Sequence, residues 1–407
     1  MNRAYFTELD PNRTQREMLK AHADAARFVW NWGLERKKTV IDLNRLPIER
    51  IRMPTAIDLH RELNDLKATK LPWLYNVSKC VGQEALRDLD KAFEHLWKGR
   101  AGFPWFKSKK WAKKSFHLNG NCPTAPRMVE VSGRYIKLPK IGWIKVEEAA
   151  FVPEDAKISS ITISERAGRW FVSVQVREER AEPKPVDGPT VGIDAGVGDD
   201  LLVIATPDGE IERVKNPRVL RSNERKLRRL QRRLSRKQPG SKNREKARLR
   251  VQRHHFKITN VRKDALHKAT TALARVKSII VVEDLSVRAM MGNHHVAKSF
   301  ADAGLSETVR LLEYKTAWYG SRLLKADRFY PSSQICSNCR RIHPEMTMEG
   351  GFAPVLLCEC GRMVDRNENA AINLSRWPSV RRTLETPAET ARKAKAGLVI
   401  EAGTAAA

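Results

Sequence analysis

The sequence predicts a multidomain protein of mixed α+β and α/β character. Three observations carry that reading. Helical periodicity dominates the chain up to about Trp97, and strand-like alternation runs from Arg127 to Val176. A Pro-rich linker, AEPKPVDGP at Ala181–Pro189, then opens a half in which short apolar strands alternate with long helices. A length of 407 residues fits two or three domains, and 41% apolar residues suffice for a sizeable core.

The elements follow in order. Ala4–Leu9 forms one strand, ended by Asp10-Pro11-Asn12. Thr14-x-x-Glu17 has the form of a capping box, and Met18, Ala25, Val29 and Trp32 lie along one stripe of the helix it opens. Further on, EALRDLDKAFEHLW places Leu86, Leu89, Phe93 and Leu96 on one core-forming face. Gly102–Phe116 (GFPWFKSKKWAKKSF) breaks the helices with a Pro between aromatics and a run of lysines. Lys107, Lys109 and Lys110, interleaved with Phe and Trp, suit a surface that pairs phosphates and stacks bases. A basic loop whose Phe103, Trp105 and Phe106 tuck into a core fits the pattern equally. Beyond it, a hairpin turns at Ala167-Gly168.

After the linker, TVGIDAG, LLVIAT and EIERVK give three short strands. Two long basic helices begin just past Pro217, turning at Pro239-Gly240, with Leu220, Leu227, Leu230 and Leu234 as a single apolar seam. Between Arg218 and Lys268 there are 20 Lys or Arg against 3 Asp or Glu. Such uniform sign calls for a polyanion to offset self-repulsion. Arg225, Arg228, Arg229, Arg232, Arg233 and Arg236 are therefore the candidate nucleic-acid contacts. KSIIVVE ends a buried strand on Glu283, a helix covers Ser306–Tyr319, and a strand lies near Arg322–Phe329. A cysteine module precedes a short helix opened by Asp365, and the Ala-rich chain from about Trp377 reads as disordered.

Charge narrows the function. With 76 Lys and Arg against 47 Asp and Glu, the net charge is +29 and the pI about 10.1. That excess points to nucleic acid, where neutralised phosphates release counterions. A ribosomal or nucleoid-structural protein is the plain alternative. A membrane surface fits poorly: no run of about 18 apolar residues occurs, and MNRAYFTELD carries no signal or lipidation pattern. The expected location is the bacterial cytoplasm, at the nucleoid.

Six cysteines are too few for a disulfide scaffold, and four crowd into residues 336–360. Cys80 and Cys122 stand alone as small buried residues or bystanders. Cys336-x2-Cys339, 18 residues, then Cys358-x-Cys360 is close to a four-thiolate zinc ribbon, a structural site with no open position. It departs from the usual form in its C-x-C bite and in Arg340, which stands where a knuckle often has glycine. Gly361 keeps the glycine of the second turn. His343 reads as a surface residue of the intervening loop.

Three acids stand in telling places: Asp194 ends one strand, Glu283 ends another, and Asp365 opens a helix. Carboxylates at the carboxyl ends of α/β strands can hold hard Mg2+ ions, and a two-ion site activates a water against a phosphodiester. Taken singly the signals are weak. GIDxG also occurs in sugar-kinase-like and actin-like ATPases, and Asp199, Asp200 and Asp284 lie nearby. Alternation favours Asp194 and Glu283 without settling the choice.

The order of these motifs resembles the TnpB proteins of bacterial insertion sequences, relatives of the type V CRISPR effectors. The resemblance rests on the basic hairpin, IVVEDL, PSSQICSNC, CG and DRNENAAIN in the carboxyl half. LEYKTAWYG, GFPWFKSK and ARFVWNWGLERK extend it over nearly the whole chain. It implies a ribonuclease H-like RuvC domain over 187–330 and 362–376, a zinc ribbon at 331–361, a wedge β-barrel over 1–12 and 112–182, and a helical recognition domain over 13–111. It also implies RNA-guided cleavage of double-stranded DNA beside a short protein-read motif, with a guide from the element's end. Asp194, Glu283 and Asp365 would then be the Mg2+ ligands of one site cutting both strands in turn. Asn369, Ala370, Ala371 and Asn373 would pack or orient the last helix. The family usually reads DRDxNAA, whereas this chain has Asn367, which cannot supply a carboxylate. A nuclease-inactive guided repressor, or a transposase or accessory protein acting without a guide, is the alternative.

Overall fold

The computed structural model describes residues 2–47, 49–110, 112–120, 128–154, 156–178, 181–196, 199–285, 304–344 and 354–384. Residues 1–180 and 181–407 form two compact units. Cys122 and the tail beyond residue 384 lie outside the described residues.

In the first unit, β1 (Asn2–Asp10) leads into α1 (Arg13–Leu43), α2 (Ala56–Thr69), a 3-10 turn (Pro72–Asn76) and α3 (Lys79–Trp97). Six strands follow: β2 (Ser115–Asn119), β3 (Glu130–Ser132), β4 (Tyr135–Leu138), β5 (Gly142–Val146), β6 (Lys157–Arg166) and β7 (Arg169–Arg177). They pair with β1 in one antiparallel sheet of order β2-β6-β7-β1-β5-β4-β3. The strand before the helices thus sits mid-sheet among strands that follow them, so the helical segment is an excursion from the sheet. Leu59, Leu63, Leu86, Ile144, Ile161 and Val172 share one core between helices and sheet. Cys80 is buried there, its thiol 3.6 Å from the Met128 sulfur.

Two local expectations compare directly. The β6–β7 hairpin turns at Ala167-Gly168, both at positive φ, as a two-residue turn matching strand twist demands. The helix cap lies earlier than Thr14: Asn12 accepts from the Gln15 amide at 2.9 Å, and Gln15 returns the bond to Asn12 N–H at 3.0 Å. Asn-x-x-Gln closes the same reciprocal box. Glu17 pairs instead with Arg13.

The second unit is built on a five-stranded sheet of order β10-β9-β8-β11-β12. Its strands are β8 (Thr190–Asp194), β9 (Asp200–Ala205), β10 (Ile211–Lys215), β11 (Ile279–Glu283) and β12 (Arg322–Ala326). β8, β11 and β12 run parallel, while β9 and β10 are antiparallel. The basic hairpin, α4 (Val219–Ser235) and α5 (Lys242–Val276), precedes β11, and α6 (Leu305–Tyr319) precedes β12. Val191, Ile193, Ile280 and Val282 face Leu266, Leu273, Leu311 and Leu312 of α5 and α6. The other face of the sheet meets α7 (Arg366–Leu384) through Ala371, Ile372, Leu374 and Trp377. The chain therefore stays helical from Trp377 to Leu384, with Trp377 buried against the sheet and Pro378 inside the helix. Gly192 explains how tightly α7 packs: a Cβ there would lie 2.1 Å from the Ala371 carbonyl oxygen.

Candidate active site and metal centre

Strand alternation decides which acids converge. Ile193 and Val282 point to α5 and α6, so Asp194 and Glu283 share the opposite face with Gly192 and Val281, against α7. Val282 is the parallel partner of Ile193, which sets Glu283 beside Asp194 at the ends of adjacent strands. Asp365 ends β14 (Met363–Asp365) and caps α7, accepting from the Asn367 and Glu368 amides at 2.9 and 3.2 Å. Burial pushes the Asp194 carboxyl up to about 8, reinforced by the charges of Glu283 and Asp365 and opposed by Arg366. Burial also raises Glu283, against a hydrogen bond from the Ser332 hydroxyl and the Arg366 charge.

The rival acids are otherwise engaged. Asp199 pairs with Arg218 at 2.8 Å, and Asp284 with Arg328 at 2.8 Å. Asp200 is held by Arg213 at 2.5 Å and Lys215 at 2.8 Å, and Arg213 also ties Glu368 of α7 to β10. Among the described residues Asp194, Glu283 and Asp365 make no ion pair. Their oxygens are not all within 4.8 Å of one another, since the only such metal-capable group among the described residues is the four cysteines. Arg366 is a nearby cation whose charge opposes the rise of both Asp194 and Glu283. Carboxylates raised by burial at adjoining strand ends are hard oxygen donors of the kind that fit Mg2+.

The cysteines form a closed set. Cys336 and Cys360 sulfurs lie 3.7 Å apart, and Cys339 and Cys358 sulfurs 3.4 Å. Four thiolates about 2.3 Å from a zinc ion would stand roughly 3.8 Å apart, so the set fits the metal. The Asn338 amide and the Arg362 backbone pull the Cys360 thiol down to about 6. Cys358 is lowered by a backbone hydrogen bond at Cys360, yet desolvation and its three thiol neighbours carry it up to about 12. Arg340 adopts φ 65°, the left-handed geometry that Gly361 meets at φ 83° in the second turn. His343 is not a surface residue: it is buried, and its amide donates to the Gln334 carbonyl. It lies outside the thiol group.

The ribbon, with its hairpin of β13 (Val355–Leu357) and β14, is bolted to α7 by side chains whose role the sequence left general. Asn369 Nδ2 donates to the Ile335 carbonyl at 2.7 Å, and its Oδ1 accepts from the Ser337 amide. Asn373 Nδ2 donates to the Ser332 and Ile335 carbonyls at 2.8 and 2.6 Å. Ser332, whose hydroxyl meets Glu283, thus hangs from the same helix that carries Asp365. Ser332 and Arg366 were missed as site residues. The PSSQ and DRN stretches were the available signal, but nothing local aims them at Glu283.

On the hairpin, Arg225, Arg228, Arg229, Arg232, Arg233 and Arg236 are all exposed, and Arg228 pairs with Glu224 at 2.6 Å. Leu227 is buried, while Leu220, Leu230 and Leu234 are half-buried along the seam. Arg244 closes the turn, donating to the Leu234 and Lys237 carbonyls. In the first unit, Lys109 and Lys110 are exposed. Lys107 instead lies over the Trp30 ring at 3.5 Å, its ammonium lowered by burial against the pull of Asp88.

Comparison with known proteins gives the family. Residues 172–294 match a family model described as "Probable transposase", and 306–374 one described as "Cas12f1-like, TNB domain". Residues 1–45 match a "Helix-turn-helix domain", although here they form β1 and one unbroken helix of 31 residues. A Streptomyces pristinaespiralis protein named "Putative RNA-guided DNA endonuclease" is 32% identical, covering 92% of this chain and 89% of its own. InsQ of Escherichia coli K12 is 30% identical over 83% of each chain, and a Mycobacterium tuberculosis relative 31% identical over 93% and 87%. The cryo-EM structure of a Cas12f1–sgRNA–target DNA complex shares the fold, with a TM-score of 0.54, 15% identity and coverage of 89% and 83%. The chain therefore belongs to the TnpB family of insertion-sequence proteins named RNA-guided DNA endonucleases.

Proposed function

We infer that the protein is an RNA-guided endonuclease of a transposable element. It hydrolyses phosphodiester bonds of double-stranded DNA at one site made by Asp194, Glu283 and Asp365. The observation that carries the site is selective pairing: these three acids make no ion pair among the described residues, whereas Asp199, Asp200 and Asp284 each hold Lys or Arg. Bound there, Mg2+ ions would supply Lewis-acid stabilisation and an activated water. Ser332 fixes the Glu283 carboxylate, and the α7 cap fixes Asp365. The four cysteines hold Zn2+ as a structural ion that keeps Ser332 and Asp365 in register.

In the same reading a guide RNA from the element's end pairs with the target, and the protein reads a short adjacent motif. The hairpin arginines with Lys109 and Lys110 hold nucleic-acid backbones. The 1–12 and 112–182 wedge and the 13–111 recognition domain are supported by the helical excursion between β1 and β2. Asn367 alone favours a nuclease-inactive regulator. The test is to purify the protein from cells carrying its native flanking DNA and sequence the RNA that accompanies it. One RNA species of defined ends, finishing in a stretch matching flanking DNA, is expected. Heterogeneous RNA would overturn guidance and favour a transposase acting alone.

A further inference from the structure

The loop after α3 holds aromatic side chains in solvent where a core would be expected to take them. Trp105 is 82% exposed and Phe106 52%, although they flank the buried Pro104 and the inward-turned Lys107. The loop is nonetheless fixed. Trp30 Nε1 donates to the Trp105 carbonyl at 3.0 Å. Asn31 Nδ2 donates to the Lys107 carbonyl at 3.0 Å, and Asn31 Oδ1 accepts from the Lys107 amide at 2.7 Å. Phe103 packs edge-on against Phe93 with ring centroids 5.7 Å apart. A single α1 turn thus pins the backbone at Trp105 and Lys107, on either side of Phe106, and holds the exposed indole in place. Beside it lies a cavity of about 960 Å³, at the upper end of the roughly 300–1,000 Å³ that takes drug-sized ligands.

Charge identifies the occupant. Residues 107–114 (KSKKWAKK) hold five lysines and no acid. The one acid lining the cavity, Asp88, is paired with His117 at 3.1 Å. Protein interfaces deplete lysine around their aromatic anchors, whereas single-stranded nucleic acid is gripped by cations beside stacking rings. We propose that Trp105, seconded by Phe106, is a stacking platform for an unpaired nucleobase, with Lys109 and Lys110 on the adjoining phosphates. The base could come from the RNA or from a melted DNA strand, since both present the same π-face. This inference rests on the nucleic-acid function above.

The test uses the full chain and fluorescence anisotropy with three probes at several salt concentrations: single-stranded RNA, single-stranded DNA and blunt duplex DNA. Trp105→Ala is expected to weaken single-strand binding about 5- to 100-fold, with duplex binding and the salt slope unchanged. Trp105→Tyr should recover most of the loss. Lys109→Ala with Lys110→Ala should instead flatten the salt slope. A loss confined to the RNA or the DNA probe assigns the source of the base. Unchanged single-strand binding in Trp105→Ala, or an equal loss on duplex, overturns the platform. Wild type that binds none of the probes refutes the nucleic-acid reading itself. Should Trp105→Ala melt early, Trp105→Leu carries the comparison, keeping an uncharged apolar side chain but not the ring: wild-type affinity in it overturns the proposal.

Discussion

Replacing Asp194 with Asn should make the metal-free protein more stable, because the carboxylate is held for a cation and not for the fold. Its carboxyl is pushed from 3.8 to about 8 by burial and by Glu283 and Asp365. The folded state therefore keeps a proton that the unfolded chain releases, so the part of the stability owed to this group falls as pH rises from 3.8, and its full penalty is in place above about 8. A shift of about 4 units at roughly 1.4 kcal/mol each sets an upper limit near 6 kcal/mol. The three acids share that penalty and the site is partly open, so we take about 2 kcal/mol. In a unit of this size that is about 4–8 °C in melting temperature. The assay is thermal unfolding of Mg-free, zinc-retaining protein at pH 5.5 and pH 8. Asp194→Asn should melt higher than wild type at pH 8, by less at pH 5.5, and addition of Mg2+ should raise wild type selectively. A lower melting point for Asp194→Asn at pH 8 would refute the reasoning, since Asp194 would then be stabilising the fold through a partner.

Three further outcomes follow from the same packing. Gly192→Ala drives a Cβ to 2.1 Å from the Ala371 oxygen and 2.3 Å from the Ser375 nitrogen, so α7 must lift. A loss of about 3 kcal/mol in urea titration and loss of cleavage are expected. Purified reduced protein should hold roughly one zinc per chain by metal analysis, and its removal should abolish cleavage, because the ribbon carries Ser332 to Glu283. Arg340→Gly relieves a side chain at φ 65° and should gain about 0.5–1 kcal/mol, read as slower zinc loss to a chelator.

Much of this was legible because local patterns and tertiary demands agree. Period-two alternation in VGIDAG and IIVVED favoured Asp194 and Glu283, which the sheet sets on one face, and thiol spacing marked the four cysteines that come together. What stayed hidden depends on distant parts of the chain. Nothing near Asp200 announces that Arg213 and Lys215 occupy it, and sequence alone kept it as a rival to Asp194. Asn369 and Asn373 read as helix-packing residues, yet their amides serve the ribbon's carbonyls more than 30 residues away. The helix end was misplaced at Trp377 because the Ala-rich tail dilutes the pattern, while the burial of that indole is a tertiary fact. Lys107 looked like its neighbours until the Trp30 ring was found beneath it.

The most direct test is guided cleavage in Mg2+ of a plasmid matching the co-purified RNA, comparing wild type with Asp194→Ala. Wild type should linearise the plasmid, while Asp194→Ala binds the same target and leaves both strands intact. Equal cutting by both proteins would remove Asp194 from the site and contradict the account.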